Sequence, residues 1–325
     1  MNKSIQFYLG IDISKKTFDV ALLMPDDKRK NKKFKNDVDG FQFLRQWLSK
    51  HAVDNLHACM EATNTYGDAL AEYLYNEGYA VSVVNPARVK GFSQSQLLRT
   101  KTDKQDASLI GQFCKAMKPR LWQPEPLNVR ELKGLVRRLD ALIAMRQQEV
   151  NRLDVAETIV RDDIEYHIEH LDLRIKQIRE TIKEHIDNDP DLKSQKELLL
   201  TIPGIGEKTM ATLLAYFSSI HRFKNAKQLA SFCGVAPRQW QSGTSVNGRG
   251  RMSKVGSSHL RKALFLPAMV ALKYNPMLSD LKLRMAQKGK PKMVIVGAAM
   301  RKLIHIVFGV LKNQTPFNEK LLTTA

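Results

Sequence analysis

Four carboxylates stand where acidic side chains are costly unless something binds them. Asp12 follows the apolar run Phe7-Tyr8-Leu9-Gly10-Ile11, and Glu61 closes the run that ends Ala58-Cys59-Met60. A carboxylate at the end of a buried strand needs a metal or a donor to offset its lost hydration. Asp103 and Asp106 lie three residues apart at the start of a helical stretch, so both project from one face. Taken singly, each has an ordinary explanation: Asp12 bounds a strand, and Asp103 caps a helix. Together they suit magnesium, a hard cation that takes oxygen ligands. Two such ions roughly 3.5–4 Å apart clamp both oxygens of a phosphoryl displacement. The implied chemistry is metal-assisted phosphoryl transfer.

Two further stretches bear on phosphate. Ile202-Pro203-Gly204-Ile205-Gly206-Glu207-Lys208-Thr209 is a helix-hairpin-helix signature, a tight turn whose backbone N–H groups at a helix start can hold a phosphate. The alternative is an ordinary helix–helix turn that uses Pro and Gly for geometry. Downstream, Phe232 to Ser245 is polar and Gly-bearing, with Ser242 among Arg238, Arg249, Arg251 and Lys254. A serine amid arginines is a phosphate contact or a nucleophile, and as a nucleophile it needs a base or a metal. Thr244 and Ser245 are equally available on composition.

The elements that must position these residues follow from periodicity. Phe7–Ile13, Thr17–Leu23, a short run near Lys33-Phe34, Leu56–Glu61 and Ala80–Val84 read as strands. Phe41–Leu48, Tyr66–Glu77 and Thr102–Met117 read as helices. Three strands, then helix, strand, helix, strand, helix is the order of the ribonuclease H fold, an α/β layer architecture with a mixed sheet. In that sheet the first and fourth strands are neighbours and the last helix crosses them, so the four acids can converge. After the linker Trp122-Gln123-Pro124-Glu125-Pro126, Leu132, Leu135, Val136, Leu139, Leu142 and Ile143 recur at helical spacing. Ile164, Ile168, Leu171, Ile175, Ile178 and Ile182 then alternate four and three apart, the seam of a coiled coil. An antiparallel hairpin within one chain and an intermolecular coiled coil both fit. From Leu198 the chain reads as mostly helical, with a loop-rich middle from Gly234 to Gly256. The expected domains are 1–122, 123–192 and 193–325.

Charge narrows the partner. The net charge is +19, and residues 191–325 carry 22 basic side chains against 5 acidic ones. Between Glu207 and Asp280 no acidic residue occurs, while eleven Lys and Arg do. Such a field concentrates polyanions, and nucleic acid is the natural one. At 43% hydrophobic and 26% charged, the chain has the composition of a folded protein. No run approaches the roughly 18 uninterrupted apolar residues of a membrane span, and the N-terminus enters a strand without a signal-peptide core. Cys59, Cys114 and Cys233 are far apart and form no C-x-x-C pair, so neither a disulfide framework nor a zinc site is expected. A cytoplasmic protein without a membrane partner is expected.

The chain resembles the transposases of DEDD insertion sequences, relatives of the Piv-type invertases. The resemblance rests on Gly10-Ile11-Asp12-Ile13-Ser14-Lys15, Met60-Glu61-Ala62-Thr63-Asn64-Thr65-Tyr66, Val84-Asn85-Pro86-Ala87 and Lys101-Thr102-Asp103-Lys104-Gln105-Asp106-Ala107. It continues through Ile202 to Gly206, Pro237 to Gly243, Arg251 to Gly256 and Leu260-Arg261-Lys262-Ala263-Leu264. Asn64 stands where a glycine is common in the family. The resemblance implies a RuvC-like metal site of Asp12, Glu61, Asp103 and Asp106, holding two Mg2+ ions. It implies a C-terminal transposase domain whose Ser242 attacks DNA and becomes covalently linked to it. It further implies a structured bridge RNA that pairs with both target and donor DNA, leaving the protein to read shape and backbone. Gly204, Gly206, Lys208, Thr209, Arg238, Arg249, Arg251, Lys254, Arg261 and Lys262 are the expected nucleic-acid contacts. Because the acids and the serine lie in different regions, a composite site in a dimer or tetramer is expected. Two rivals remain: a Holliday-junction resolvase that uses water, and a non-catalytic nucleic-acid scaffold.

Overall fold

The computed structural model describes residues 7–26, 28–62, 65–96, 103–242 and 246–318. The chain divides into two compact units, residues 1–125 and 126–325. In the first unit, among the described residues, five strands form one mixed sheet: β1 (Phe7–Ile13), β2 (Thr17–Leu23), β3 (Arg29–Lys35), β4 (Leu56–Glu61) and β5 (Ala80–Val84). Their spatial order is β3-β2-β1-β4-β5. β1 pairs antiparallel with β2 and β2 with β3, whereas β4 runs parallel to β1 and β5 parallel to β4. This is a topology compatible with the ribonuclease H fold. Among the described residues four helices accompany the sheet: α1 (Val38–Lys50), α2 (Asp68–Asn76), α3 (Pro86–Ser95) and α4 (Asp103–Met117).

Alternation along the strands assigns the two faces. Leu9, Ile11, Val20, Leu22, Ala58 and Met60 point into one core with Phe41, Leu44 and Leu48 of α1 and Leu70 and Leu74 of α2. The opposite face carries Gly10, Asp12, Cys59 and Glu61 and is covered by α4, where Cys59 and Val84 meet Ile110, Phe113 and Cys114. Gly10 permits that contact. A Cβ there would stand 1.9 Å from the Ala107 carbonyl oxygen and 2.2 Å from the Gly111 nitrogen. Only a residue without a side chain lets α4 lie this close on β1.

The second unit begins with two long helices, α5 (Leu127–Leu153) and α6 (Thr158–Asp187), joined by a turn at residues 154–157. They pair antiparallel within one chain. The Arg146 Nη2 donates to Asp172 Oδ2 at 2.9 Å, Arg161 donates to the Leu153 carbonyl, and His185 Nε2 meets the Asn128 carbonyl at 2.7 Å. Leu132, Val136, Leu139 and Leu142 bury against Leu171, Ile175, Ile182 and Ile186. Ile164 and Ile168, near the turn, are only half-buried.

The same core continues into α7 (Pro190–Leu200), α8 (Glu207–Phe217), α9 (Ala226–Phe232), α10 (Ser258–Tyr274), α11 (Pro276–Gln287) and α12 (Lys292–Asn313). α12 is long and apolar enough to cross a membrane by length and composition. Ten of its side chains, from Ile295 to Leu311, are buried in this core, so its apolarity is accounted for by packing. The stretch expected to be loop contains an antiparallel pair, β6 (Pro237–Ser242) and β7 (Val246–Met252). Its strands are rich in Arg, Gln and Gly, so no apolar alternation announces them.

Candidate active site

Asp12 and Glu61 come together because β1 and β4 are parallel neighbours. Ile11 is the register partner of Met60, so the next residue of each strand, Asp12 and Glu61, stands side by side at the carboxyl ends. Both side chains are half-buried and project to the face that α4 covers. The direction of α4 brings its acids to the same end. Cys114, late in the helix, donates to the His57 carbonyl at 3.7 Å, near the start of β4. Ala107, one turn from the helix start, lies on Gly10. The helix therefore runs against the strands, and its first turn reaches the ends that carry Asp12 and Glu61. Asp106, half-buried, precedes Ala107 in that turn. α4 begins at Asp103, whose side chain lies outside the described residues. Among the described residues no three His, Cys, Asp or Glu side chains close into a metal-holding group.

A fifth carboxylate belongs to this neighbourhood, and it is not among the acids that sequence singles out. Asp19 on β2 is the register partner of Asp12 and shares its face. It is buried and paired with Lys33 Nζ at 3.0 Å, and Lys33 is its register partner on β3. Like charges directly across a strand pair repel, so the lysine offsets a cost the register imposes. The signal lies in the alternation of Thr17–Leu23, where an acid interrupts an otherwise apolar strand. Beneath the site, burial holds the pKa of His57 below its ordinary value. Its Nε2 lies 2.7 Å from Ser82 Oγ, which in turn donates to the Arg120 carbonyl at 2.9 Å.

The cysteines are poor candidates for a nucleophile. All three are buried. Hydrogen bonding to Cys59 and burial push the Cys114 thiol up, and burial pushes Cys233 up to about 12. Thiols so raised stay protonated at neutral pH and react weakly.

The second unit gathers the cationic groups. Gly206 precedes α8 with no side-chain cap, leaving the first N–H groups of that helix without a protein acceptor of that kind. Gly204 serves packing. Its φ is +101°, and a Cβ would stand 2.6 Å from the Ala271 Cβ of α10. Lys208 is exposed and its Nζ lies 3.0 Å from Asp140 Oδ1 of α5. The other oxygen of Asp140 meets His259 Nε2 of α10 at 3.1 Å. Burial holds the pKa of His259 down despite Asp140, with Arg137, Lys262 and Lys208 acting in the same direction as burial. Thr209 is half-buried in the first turn of α8.

Ser242 ends β6 opposite Val246. Its side chain, and that of Arg249, lie outside the described residues, as do Gly243, Thr244 and Ser245 altogether. At the base of the ribbon Arg238 and Arg251 are register partners with exposed side chains. Arg261 Nη1 donates to the Lys254 carbonyl at 3.1 Å, tying the ribbon's exit to α10, and Lys262 is exposed beside it.

A ribonuclease H-compatible sheet with acids at its carboxyl ends, followed by a basic helical unit, defines an enzyme that acts on nucleic acid. Comparison with known proteins makes this specific. A DEDD-type transposase family model matches residues 9–156, and a second, described as transposase of the IS116/IS110/IS902 family, matches residues 196–282. The pilin gene-inverting protein of Moraxella bovis is 36% identical over 317 residues, covering 97% of this chain and 98% of that protein. The Moraxella lacunata protein of the same name matches equally. The transposase for insertion sequence element IS1111A of Coxiella burnetii is 24% identical over 296 residues, 82% of this chain and 78% of that one. The chain belongs to the DEDD-type IS110 transposase family, and it is a DNA recombinase. DEDD-type domains of this kind imply use of a divalent metal ion.

Proposed function

We propose that the protein cuts and rejoins DNA through Asp12, Glu61, Asp103 and Asp106 acting with Ser242, in the manner of a serine-type transposase with a RuvC-like domain. The observation that carries this reading is the side-by-side placement of Asp12 and Glu61 beneath the first turn of α4, which brings in Asp106. The donors are all carboxylate oxygens, the set that hard divalent ions such as Mg2+ prefer. Two Mg2+ ions held there would supply charge stabilisation at the scissile phosphate. Asp12 and Glu61, on a rigid sheet, hold their oxygens in place, and Lys33 keeps the neighbouring Asp19 from adding repulsion.

Ser242 Oγ attacks phosphorus, and the bond from phosphorus to the leaving strand's oxygen breaks as the Oγ–P bond forms. The hydroxyl proton leaves to solvent or to a carboxylate, and the released strand takes a proton. Because one phosphoester replaces another, the reverse attack by a DNA hydroxyl reseals the strand without a nucleotide cofactor. Gly206, Lys208 and Thr209, at a helix-hairpin-helix whose turn Gly204 shapes, hold the DNA backbone. Arg238, Arg249, Arg251, Lys254, Arg261 and Lys262 extend that grip around Ser242. Such contacts give position rather than sequence, which supports a reading in which a bridge RNA pairs with target and donor DNA. In this reading the enzyme works as a dimer or tetramer, Ser242 of one subunit serving the carboxylates of another.

The test is strand cleavage on DNA spanning the element ends, with Mg2+ and the flanking RNA. Asp12→Ala is expected to lower cleavage by about a thousandfold or more, the loss of several kcal/mol of transition-state stabilisation. Ser242→Ala is expected to abolish the covalent protein–DNA adduct. Cleavage that persists in Ser242→Ala but not in Asp12→Ala would mark a water-using resolvase. Cleavage absent from the wild-type protein would mark a scaffold.

A further inference from the structure

The edge of the five-stranded sheet carries a charge that the carboxylate site leaves unexplained. Six of the eight residues from Lys28 to Lys35 are Lys or Arg, none is acidic, and Phe34 alone is buried in β3. Lysine on an edge strand discourages pairing with another chain. That role is indifferent to which face the lysines take, and here the faces differ. Lys30, Lys32 and Phe34 pair with Leu22, Val20 and Phe18, whose side chains point into the core beneath α1 and α2. Arg29, Asn31, Lys33 and Lys35 alternate with them and so share the face of Asp12, Asp19 and Glu61. Arg29 lies on that face beside α4, where its Nη1 donates to Ser108 Oγ at 3.1 Å.

Strand direction places the other end of this row at the acids. β1 and β3 are each antiparallel to β2, so Lys33 and Lys35 stand at the end of the sheet that carries Asp12. Lys33 is two strands from Asp12, about 10 Å across the sheet, with Asp19 between them. Its ammonium, which has three N–H donors, meets Asp19 at 3.0 Å while the side chain stays 52% exposed. Lys35 is exposed opposite Thr17, and Lys15 and Lys16 are exposed in the turn from β1 to β2. Hydrogen bonds anchor that turn. Ser14 N donates to the Thr17 carbonyl and Asn36 N to the Lys16 carbonyl, both at 2.9 Å. The Asn36 side-chain amide donates to the carbonyls of Ser14 and Tyr66 at 3.0 Å each, linking the segments that leave β3, β1 and β4.

We propose that Lys15, Lys16, Lys33 and Lys35 form a rail for the phosphates flanking the scissile one, on the backbone of the DNA strand being cut. A cluster of carboxylates repels every phosphate that no metal ion covers, and cations on one side of it offset that repulsion. Side chains on one face of a strand stand about 7 Å apart, a spacing that successive phosphates of an extended strand can follow. The inference rests on the reading of the carboxylates as the cutting site. It adds the side from which DNA reaches them: across β3, not across β5.

The experiment is the equilibrium affinity of the full chain for DNA of the element end, measured in EDTA over a range of salt, where nothing is cut. Lys16→Gln with Lys35→Gln is expected to weaken binding about fivefold or more and to lower the slope of log affinity against log salt by about two. Lys16→Arg with Lys35→Arg should restore both. Lys30→Gln with Lys32→Gln removes the same charge from the opposite face of the edge and should change affinity by less than about twofold. Methylphosphonates, which neutralise one phosphate at a time, locate the contact: on DNA made neutral at the element boundary, the Lys16 and Lys35 substitutions should lose their effect. Equal losses from the two faces, an unchanged salt slope, or a loss confined to RNA affinity would overturn the rail. No arm depends on turnover, so a wild-type protein that binds in this way and never cuts would count against the proposed function alone.

Discussion

The two units solve opposite electrostatic problems. Residues 1–125 must bring acids together, and do so with a sheet whose register leaves little freedom: Asp12 and Glu61 adjoin because Ile11 and Met60 pair, and Asp19 follows from the same ladder. Residues 126–325 must spread cations over a surface, and do so with helix ends and a polar ribbon, where Lys208, Lys254 and Lys262 are exposed. Mutual repulsion has to be overcome by rigid backbone in the first unit. In the second, exposed cations such as Lys254 stay hydrated until phosphate arrives, so positions tolerate more latitude. Chemistry demands the sheet and affinity demands only the field.

The sharpest way to break this contrast is to disturb the backbone of each unit by one carbon. Gly10→Ala places a Cβ 1.9 Å from the backbone of α4, and is expected to cost about 1–3 kcal/mol or more of folding stability. It should also cost cleavage activity, since it shifts α4 with Asp103 and Asp106. Gly134→Ala, at an exposed site within α5 where a Cβ meets nothing within 4 Å, is expected to gain about 0.5–1 kcal/mol and leave cleavage unchanged. Denaturant melts of both variants read the difference, and equal effects would remove the distinction between the close contact of α4 on β1 and the open surface of α5.

Smaller effects belong to the cationic surface. Lys208→Gln is expected to weaken DNA binding severalfold on every sequence, with the slope of log affinity against log salt reduced by about one. Asp140→Asn acts in the opposite sense, because it removes the carboxylate that now holds Lys208 and His259. The smallest effect is on pH. The folded pKa of His57 lies below its unfolded value, so the unfolded chain binds the extra proton. Stability on this account is present above the unfolded value, about 6.5, and is lost as pH falls below it. Thermal unfolding between pH 7.5 and 5.5 should show the loss. His57→Gln, which keeps a donor toward Ser82, should lessen it, with His259 and His305 providing what remains.

Burial decides how much of this is legible in the sequence. β1, β2, β4 and β5 fall where apolar periodicity places them, since each is packed on at least one face. β3 shows only at Lys33-Phe34 because Phe34 is its one buried residue. α3 escapes periodicity for want of an apolar face, although Asn85 accepts from Ala87 N and Pro86 opens the helix, a cap and first-turn pair visible in sequence. The β6–β7 ribbon resembles loop for the same reason: pairing between polar strands leaves no alternation to detect. Asp12, Glu61 and Asp106 can be chosen because a strand end and a helix start are positions sequence defines. Asp19 shows in the sequence only as an acid within an apolar strand, and its relation to Asp12 exists only through the register of two strands.

The central claim is that acids from three elements of the first unit hold divalent metal together, and iron-directed cleavage of the polypeptide tests it without reference to turnover. With Fe2+ in place of Mg2+, ascorbate and peroxide should cut the chain near residues 12, 61 and 103–106 at once, with excess Mg2+ or Asp12→Ala suppressing all three. Cuts at one of these places alone, or cuts indifferent to Asp12→Ala, would contradict a shared site.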